Sequence, residues 1–224
     1  MLLGPSGPFW HLEYSDIILL NKGDIMIQTV FATTWINSVN GNGLGFDGGL
    51  PWPRISRDMK NFALRTKDTT LIMGAKTFMS IPKLSGRKSY VITDRPSKIF
   101  SVDGFEPDEY VDVNLPSIGP AFTPTVAYFD IYKNVIEKIH KEVGDVSIIG
   151  GKLLIEVGIL ISDQVIHTQI VSNSIEPLKA DVFIGQEYID DLNYRFPKEE
   201  HYYYNCLDTF TVIETVLGEL NEIN

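Results

Sequence analysis

Two strand-length apolar runs, Thr70-Leu71-Ile72-Met73 and Val146-Ser147-Ile148-Ile149, constrain the fold more than anything else in the chain. A strand that reads apolar without alternation is buried on both faces, which is the habit of parallel sheets covered by helices. Each run exits into glycine and then into a helix-compatible segment, Gly74-Ala75-Lys76-Thr77 and Gly150-Gly151-Lys152. Strand, glycine turn, helix and strand again is the βα rhythm of an α/β protein.

The same rhythm extends along the chain. Ile27-Gln28-Thr29-Val30-Phe31-Ala32-Thr33-Thr34 is β-branched and alternating, a first strand. A helix over 56–65, a strand at Ser89-Tyr90-Val91-Ile92-Thr93, a helix over 129–143, a helix over 152–160 and a strand over 164–172 follow. Residues 97–124 carry four of the 12 prolines and read as an elaborated loop region, drawn to 128, with one strand near Tyr110-Val111-Asp112-Val113. The aromatic and β-branched C-terminal stretch, Tyr202-Tyr203-Tyr204 and Thr209-Phe210-Thr211-Val212-Ile213, reads as antiparallel strands finishing the sheet. The expectation is an α/β three-layer α/β/α sandwich, with a mostly parallel central sheet of about eight strands and an antiparallel C-terminal edge.

Composition narrows the classes of function. A net charge of −10 disfavours non-specific attraction to nucleic acid phosphate. Cys206 is the single cysteine, which excludes an internal disulfide and fits a reducing, cytoplasmic compartment. The four histidines are scattered without metal-ligand spacing, so no metal is expected. No apolar run approaches the ~20 residues that cross a bilayer, so no membrane partner is expected either. Residues 1–25 read as an N-terminal extension to a domain over 26–224. Lys22-Gly23-Asp24-Ile25 can be encoded by a purine-rich ribosome-binding stretch just before Met26, so translation starting at Met26 is one expectation for that segment and a packed arm is the other.

Candidate chemistry gathers around Gly45-Phe46-Asp47-Gly48-Gly49-Leu50-Pro51-Trp52 and the helix beginning Ser56-Arg57-Asp58-Met59-Lys60-Asn61-Phe62. Ile55, Met59, Phe62 and Ala63 lie on one apolar stripe, with Asp58 beside it in the first turn. An acid at the edge of an apolar wall is costly unless something pairs with it. The letters Gly43-Leu44-Gly45-Phe46-Asp47-Gly48 match a dinucleotide fingerprint, but a Leu-Pro-Trp-Pro turn follows where that motif needs a helix. Gly150-Gly151-Lys152 likewise lacks the earlier glycine and the hydroxyl residue of a P-loop. Three strand ends remain suited to a dinucleotide: Gly74 to Thr77, Thr93-Asp94-Arg95, and Ile149-Gly150-Gly151.

Leu-Pro-Trp, an acid six residues after the Trp, Phe62 four further on, Leu84-Ser85-Gly86-Arg87 and the paired glycines strongly resemble the dihydrofolate reductase family, in its phage-type form. The resemblance runs from Met26 to the C-terminus and is weakest over 97–144. It implies NADPH-dependent reduction of 7,8-dihydrofolate to tetrahydrofolate, by hydride transfer to pterin C6 and protonation at N5, in support of one-carbon metabolism and thymidylate synthesis. It implies catalytic roles for Asp58, Leu50, Trp52 and Thr168, with Asp58 paired to the pterin 2-amino group and N3 and Thr168 joining through a water. The pterin pocket would be Val30, Ala32, Asp58, Met59, Phe62, Ile149 and Thr168. Ile81 and Leu84 would line the p-aminobenzoyl groove, and Arg87 would grip the glutamate carboxylate. NADPH would lie against Ala32, Gly45, Gly48, Gly49, Leu50, Gly74, Ala75, Lys76, Thr77, Thr93, Asp94, Arg95, Ile149, Gly150, Gly151, Lys152, Leu153 and Leu154.

Departures from the family pattern carry expectations of their own. Ala75 stands where many relatives have an arginine for the 2′-phosphate, which leaves Lys76 and Arg95 to select NADPH. Ile155 falls near a position usually aromatic, and the segment 33–44 reads as a lengthened loop. Asp58 is expected to be the only ionisable group in the pocket. The competing readings are a same-fold reductase of another pyrimidine or pterin, and a structural or binding protein on an inherited reductase fold. The substrate partner implied is dihydrofolate, in the host cytoplasm if the source is viral, with a monomer and a homodimer both open.

Overall fold

The computed structural model describes residues 26–36, 41–94, 98–113, 115, 124–174, 178–196, 199–206 and 209–218. In chain order the strands are β1 (Ile27–Trp35), β2 (Asn42–Gly45), β3 (Thr70–Gly74), β4 (Ser89–Thr93), β5 (Glu109–Asp112), β6 (Val146–Gly150), β7 (Gln164–Ser172), β8 (Val182–Ile184), β9 (Glu199–Cys206) and β10 (Phe210–Gly218). The helices are α1 (Ser56–Arg65), α2 (Ala75–Ser80), α3 (Pro124–Val143), α4 (Lys152–Ile161) and α5 (Gln186–Arg195). One sheet runs β5-β4-β3-β6-β1-β7-β10-β9, with β2 and β8 attached beside β1. Its parallel pairs are β5–β4, β4–β3, β3–β6, β6–β1 and β1–β7, and the C-terminal strands close it antiparallel.

Period-two alternation sorts the strand residues to two helical layers. Ile72, Ile92 and Ile148 pack with Ile136 and Ile139 of α3 and Leu154 and Val157 of α4. Phe31, Val165 and Leu217 continue that face against Ile155 and Ile159 of α4 and Leu192 of α5. The neighbours Leu71, Met73 and Val91 face the other way, onto Phe78 of α2. Val30, Ile166 and Val216 meet Phe62 of α1. This is the three-layer sandwich read from the sequence, its sheet holding ten strands among the described residues: a path of eight, with the short β2 and β8 attached beside it.

The sheet opens at one place. Parallel pairing between β1 and β6 ends at Thr29↔Ile148, whereas β1 stays on β7 as far as Thr34↔Ile170. Chain leaving β1 returns through α1 on one face, and chain leaving β6 returns through α4 on the other. Adjacent parallel strands whose connections depart to opposite faces form the crevice in which ligands of open α/β sheets bind.

The segment 33–44, read as a lengthened loop, is a hairpin instead. β1 runs on to Trp35, and β2 folds back on it with Thr34 opposite Gly43. Backbone pairing won over the glycine-rich composition there, because β2 also gains β8 as a second neighbour. Beyond it Asp47 and Gly48, with φ of 48° and 76°, close a tight turn in which Phe46 and Gly49 exchange backbone hydrogen bonds of 3.0 and 2.9 Å. Asp-Gly is the favoured pair for a turn that needs two positive φ values. The turn is tied to the residue just before β8: the Asp47 amide donates to the Asp181 carboxylate at 3.0 Å, and the Asp181 amide donates to the Gly45 carbonyl at 2.9 Å.

Candidate active site

Helix α1 buries polar residues beside its apolar stripe. Its buried residues are Asp58 and Asn61, both 6% exposed, while Met59 and Phe62 are half-buried and Ala63 is exposed. Along the stripe, Ile55 is buried against Trp52 and Phe62 packs on Val30, Ile166 and Val216, so the stripe meets the core at those two positions and loosens at Met59 and Ala63. Buried side-chain atoms without a hydrogen-bond partner concentrate here too: Trp52 Nε1, Arg57 Nε and Asn61 Nδ2 lie in or just before α1. Buried polar atoms are paired in nearly all native structures, so orphans grouped at one cleft mark where a polar ligand or ordered water completes the set.

Asp58 is not the only ionisable group in this pocket, contrary to the sequence reading. Glu214 of β10 is 2% exposed and receives two bonds from Arg65, from Nη2 at 2.7 Å and from Nε at 3.1 Å, both on Oε1. In the sheet register Ala32 lies opposite Thr168, Thr168 opposite Glu214, and Glu214 opposite Tyr202. These four therefore share one row on the face that α1 covers. Burial, and after it the Glu214 carboxylate, push Asp58 up to about 6. The Trp52 indole pulls it partly back, close enough to be felt although no bond of full hydrogen-bond geometry joins the two. At neutral pH the carboxylate is thus mostly ionised but close to its midpoint.

Apolar contacts continue along the sheet. Val30, Phe62 and Ile149 adjoin in one cluster, and Ile149 also touches the neighbouring cluster holding Ile81, Leu84 and Ala75. Ala32 packs with Trp52 and Ile55 at the other end. At the outer end Arg87 Nη1 donates to Thr66 Oγ1 at 2.6 Å, and its guanidinium lies 5.9 Å from the Phe62 ring centre. Fixed in this way, Arg87 borders a cavity of about 560 Å³ whose wall includes Leu84, Lys88 and Phe105.

At the carboxyl ends of β3 and β6, two strand-end turns come together. A Cβ added to Gly151 would lie 3.7 Å from both Cα and N of Gly74, so the two backbones nearly touch. Gly151 has φ of 83° and caps α4, a position that only glycine adopts without strain. A Cβ on Gly150 would lie 2.4 Å from Thr77 Cγ2, so Thr77 occupies the space a side chain would take. Bare backbone at two adjacent helix starts is a cradle for a diphosphate, and these residues fit a dinucleotide.

Of the other cofactor candidates, Thr93 is buried at the end of β4, Asp94 is exposed beside it, and Lys76 is exposed at the start of α2. Arg95 lies outside the described residues. Lys152 pairs with Glu156 at 3.6 Å. The side chains of Leu153 and Leu154 join the core under α3, and Leu154 Cδ1 also borders the cradle, 3.9 Å from where a Cβ on Gly74 or Gly151 would stand. Ile155 is buried against Phe31 on the far face of the sheet. Gly45, Gly48, Gly49 and a half-exposed Leu50 form the tight turn at the mouth of the crevice. Among the described residues no group of His, Cys, Asp or Glu could hold a metal ion, and no helix is long and apolar enough to cross a membrane.

A solved structure with this architecture is the dihydrofolate reductase from Enterococcus faecalis complexed with NADP(H) and RAB-propyl; it aligns with a TM-score of 0.57 and 19% identity, over 87% of this chain and 96% of that one. Fold and crevice together define an open α/β sheet with a ligand crevice at the carboxyl ends of its parallel strands. The dihydrofolate reductase family model matches residues 27–112. The type A10 dihydrofolate reductase of Escherichia coli is 25% identical over 88% of this chain and 98% of its own length. The dihydrofolate reductase of Enterococcus faecium is 38% identical over a shorter stretch, 33% of this chain and 43% of that protein. Over most of its length the chain is thus similar to dihydrofolate reductases.

Proposed function

We propose that this chain reduces 7,8-dihydrofolate to 5,6,7,8-tetrahydrofolate with NADPH, supplying one-carbon metabolism and thymidylate synthesis. The observation that carries the reading is a buried Asp58 carboxylate beside half-buried Met59 and Phe62, on a sheet whose strands β3 and β6 end in a bare glycine cradle. A flat pterin needs apolar contact on its faces and an anionic acceptor for adjacent N–H donors on its edge. Met59, Phe62, Val30 and Ile149 provide the first, and Asp58 provides the second.

NADPH, when bound, supplies the hydride that reaches pterin C6. The chain supplies position and field. Gly74, Gly150, Gly151 and Thr77 would hold the diphosphate, with Lys76 and Arg95 as the cations for the 2′-phosphate. The Asp58 oxygens accept from the pterin N3–H and 2-amino group, which fixes the ring and raises the basicity of N5 toward protonation. Thr168 lies in the same row, placed to share a water with that network. The Trp52 indole N–H, buried beside Asp58, is a further donor for the bound ligand or its water. The tight turn from Gly45 to Leu50 covers the crevice and keeps bulk water from the reacting atoms. Arg87 takes the glutamate carboxylate at the outer end.

The unit acting is the domain over 26–224, working in the cytoplasm (the host's, for a viral source) as a monomer or homodimer. The test is dihydrofolate-dependent oxidation of NADPH by the purified protein, run beside Asp58→Asn. The expected result is turnover that Asp58→Asn largely abolishes. Absence of turnover in the parent protein contradicts the reading.

A further inference from the structure

Beneath the pterin site lies a charge pair that anchoring a pterin does not by itself require. Burying an ion pair costs desolvation that its own attraction rarely exceeds. Arg65 and Glu214 are nonetheless 11% and 3% exposed, at 2.7 Å. Several contacts hold them in place. Gln28 Nε2 donates to the Arg65 carbonyl at 2.7 Å and to Ser147 Oγ at 2.6 Å, tying the end of α1 to the sheet. The Arg65 guanidinium also lies 5.4 Å from the Tyr202 ring centre.

Asp58 and Arg65 stand seven residues apart on α1, two turns and therefore one side of the helix. Glu214 lies on the sheet row that this side covers. The charged and titratable groups facing this space can be named element by element. The turn before α1 brings Trp52, β9 brings Tyr202 with Glu200 accepting from its hydroxyl, and β10 brings Glu214. On α1 itself, Arg57 is turned onto the Tyr204 ring at 3.7 Å, while Arg87 reaches in only as far as Thr66.

We propose that Glu214 and Arg65 are positioning residues for the reductase reaction: Arg65, tied down through Gln28 and lying on the Tyr202 ring, fixes the Glu214 carboxylate on the sheet row that α1 covers, and from there Glu214 opposes negative charge on Asp58. The repulsion from Glu214 is supported by the direction of the Asp58 shift.

The catalytic consequence rests on the reductase reading, but the charge arrangement does not, so the first test uses neither substrate nor cofactor. Carboxyl ¹³C NMR of the ligand-free protein reads the Asp58 midpoint directly. In Glu214→Gln, which keeps an acceptor for Arg65, the Asp58 midpoint should fall by about one pH unit from that of the wild type. The acid limb of the kcat/KM profile should fall with it. A folded Glu214→Gln protein whose Asp58 midpoint stays put would overturn the proposal. Failure to oxidise NADPH with dihydrofolate would contradict the functional reading and leave the titration result standing.

Discussion

His167 and Thr168 are neighbours on β7 that face opposite ways, and the two sides of the sheet treat polar groups differently. On the α4–α5 side His167 stacks on Phe31, with ring centres 4.6 Å apart at 13°, and shares a 2.8 Å hydrogen bond with Thr33 Oγ1. Burial pushes its pKa down to about 4, so the ring stays neutral within a closed network. On the α1 side Thr168 lies between Ala32 and Glu214, near an Asp58 raised to about 6 and several polar atoms without partners. On the first side the His167 pair is satisfied internally, and one buried side-chain atom of α5, Asp191 Oδ2, has no partner. The other leaves donors and a charge uncompensated, which is destabilising until a ligand arrives.

The largest separation between the two sides should appear in catalysis. Asp58→Asn is expected to lower kcat/KM for dihydrofolate by at least ~10²-fold at neutral pH, whereas His167→Gln should leave it within a few-fold of the parent. Steady-state NADPH oxidation by the two variants measures this, and equal losses would erase the distinction.

Stability against pH should then split the sides by sign. A histidine with a depressed pKa contributes stability above its ordinary value of 6.5 and loses it as pH falls toward 4. His167 should therefore account for up to about 3 kcal/mol of acid destabilisation. Urea unfolding between pH 7 and pH 4 should show a flatter slope for His167→Gln, which retains a partner for Thr33.

Asp58 works in the opposite direction. Its raised pKa favours the folded state at low pH, and that contribution disappears as pH rises from about 4 through about 6. Ligand-free Asp58→Asn should thus be more stable than the parent above pH 6, by up to about 2–3 kcal/mol, with the gain vanishing near pH 4. A destabilised Asn variant at neutral pH would show that the carboxylate is better compensated than the buried geometry indicates.

The smallest effect should lie at the outer end of the groove. Arg87→Leu is expected to raise the Kd for dihydrofolate about tenfold, with kcat at saturation nearly unchanged, because a carboxylate clamp remote from the reacting atoms serves binding in ground and transition state alike. Fluorescence titration and saturation kinetics separate the two quantities.

The parts legible in the sequence are those whose signal is local. The apolar runs of β3 and β6, the alternation of β1 and β7 and the glycine turns after β3 and β6 each follow from a few consecutive residues. The short strands β2 and β8 escaped because the two glycines of β2 and the three-residue length of β8 leave no periodicity to read. The turn at Asp47-Gly48 was written in the chain, but its two residues sat inside a glycine-rich stretch that masked a hairpin signal. The Arg65–Glu214 pair had no local signal at all: its members are 149 residues apart and meet only because β10 inserts beside β7. The stripe on α1 was found in the right place, but periodicity does not distinguish positions that meet core from positions that loosen beside a ligand site. Only the burial of Asp58 and Asn61 beside it makes that difference visible.

A crystal structure of the protein with folate and NADP⁺ bound together probes the arrangement most directly. The Asp58 carboxylate should lie within hydrogen-bond distance of the pterin 2-amino group and N3, the ring between Phe62 and Ile149, and the dinucleotide diphosphate against Gly150 and Gly151. A pterin bound elsewhere, or an Asp58 that remains sealed away from it, would contradict the site described.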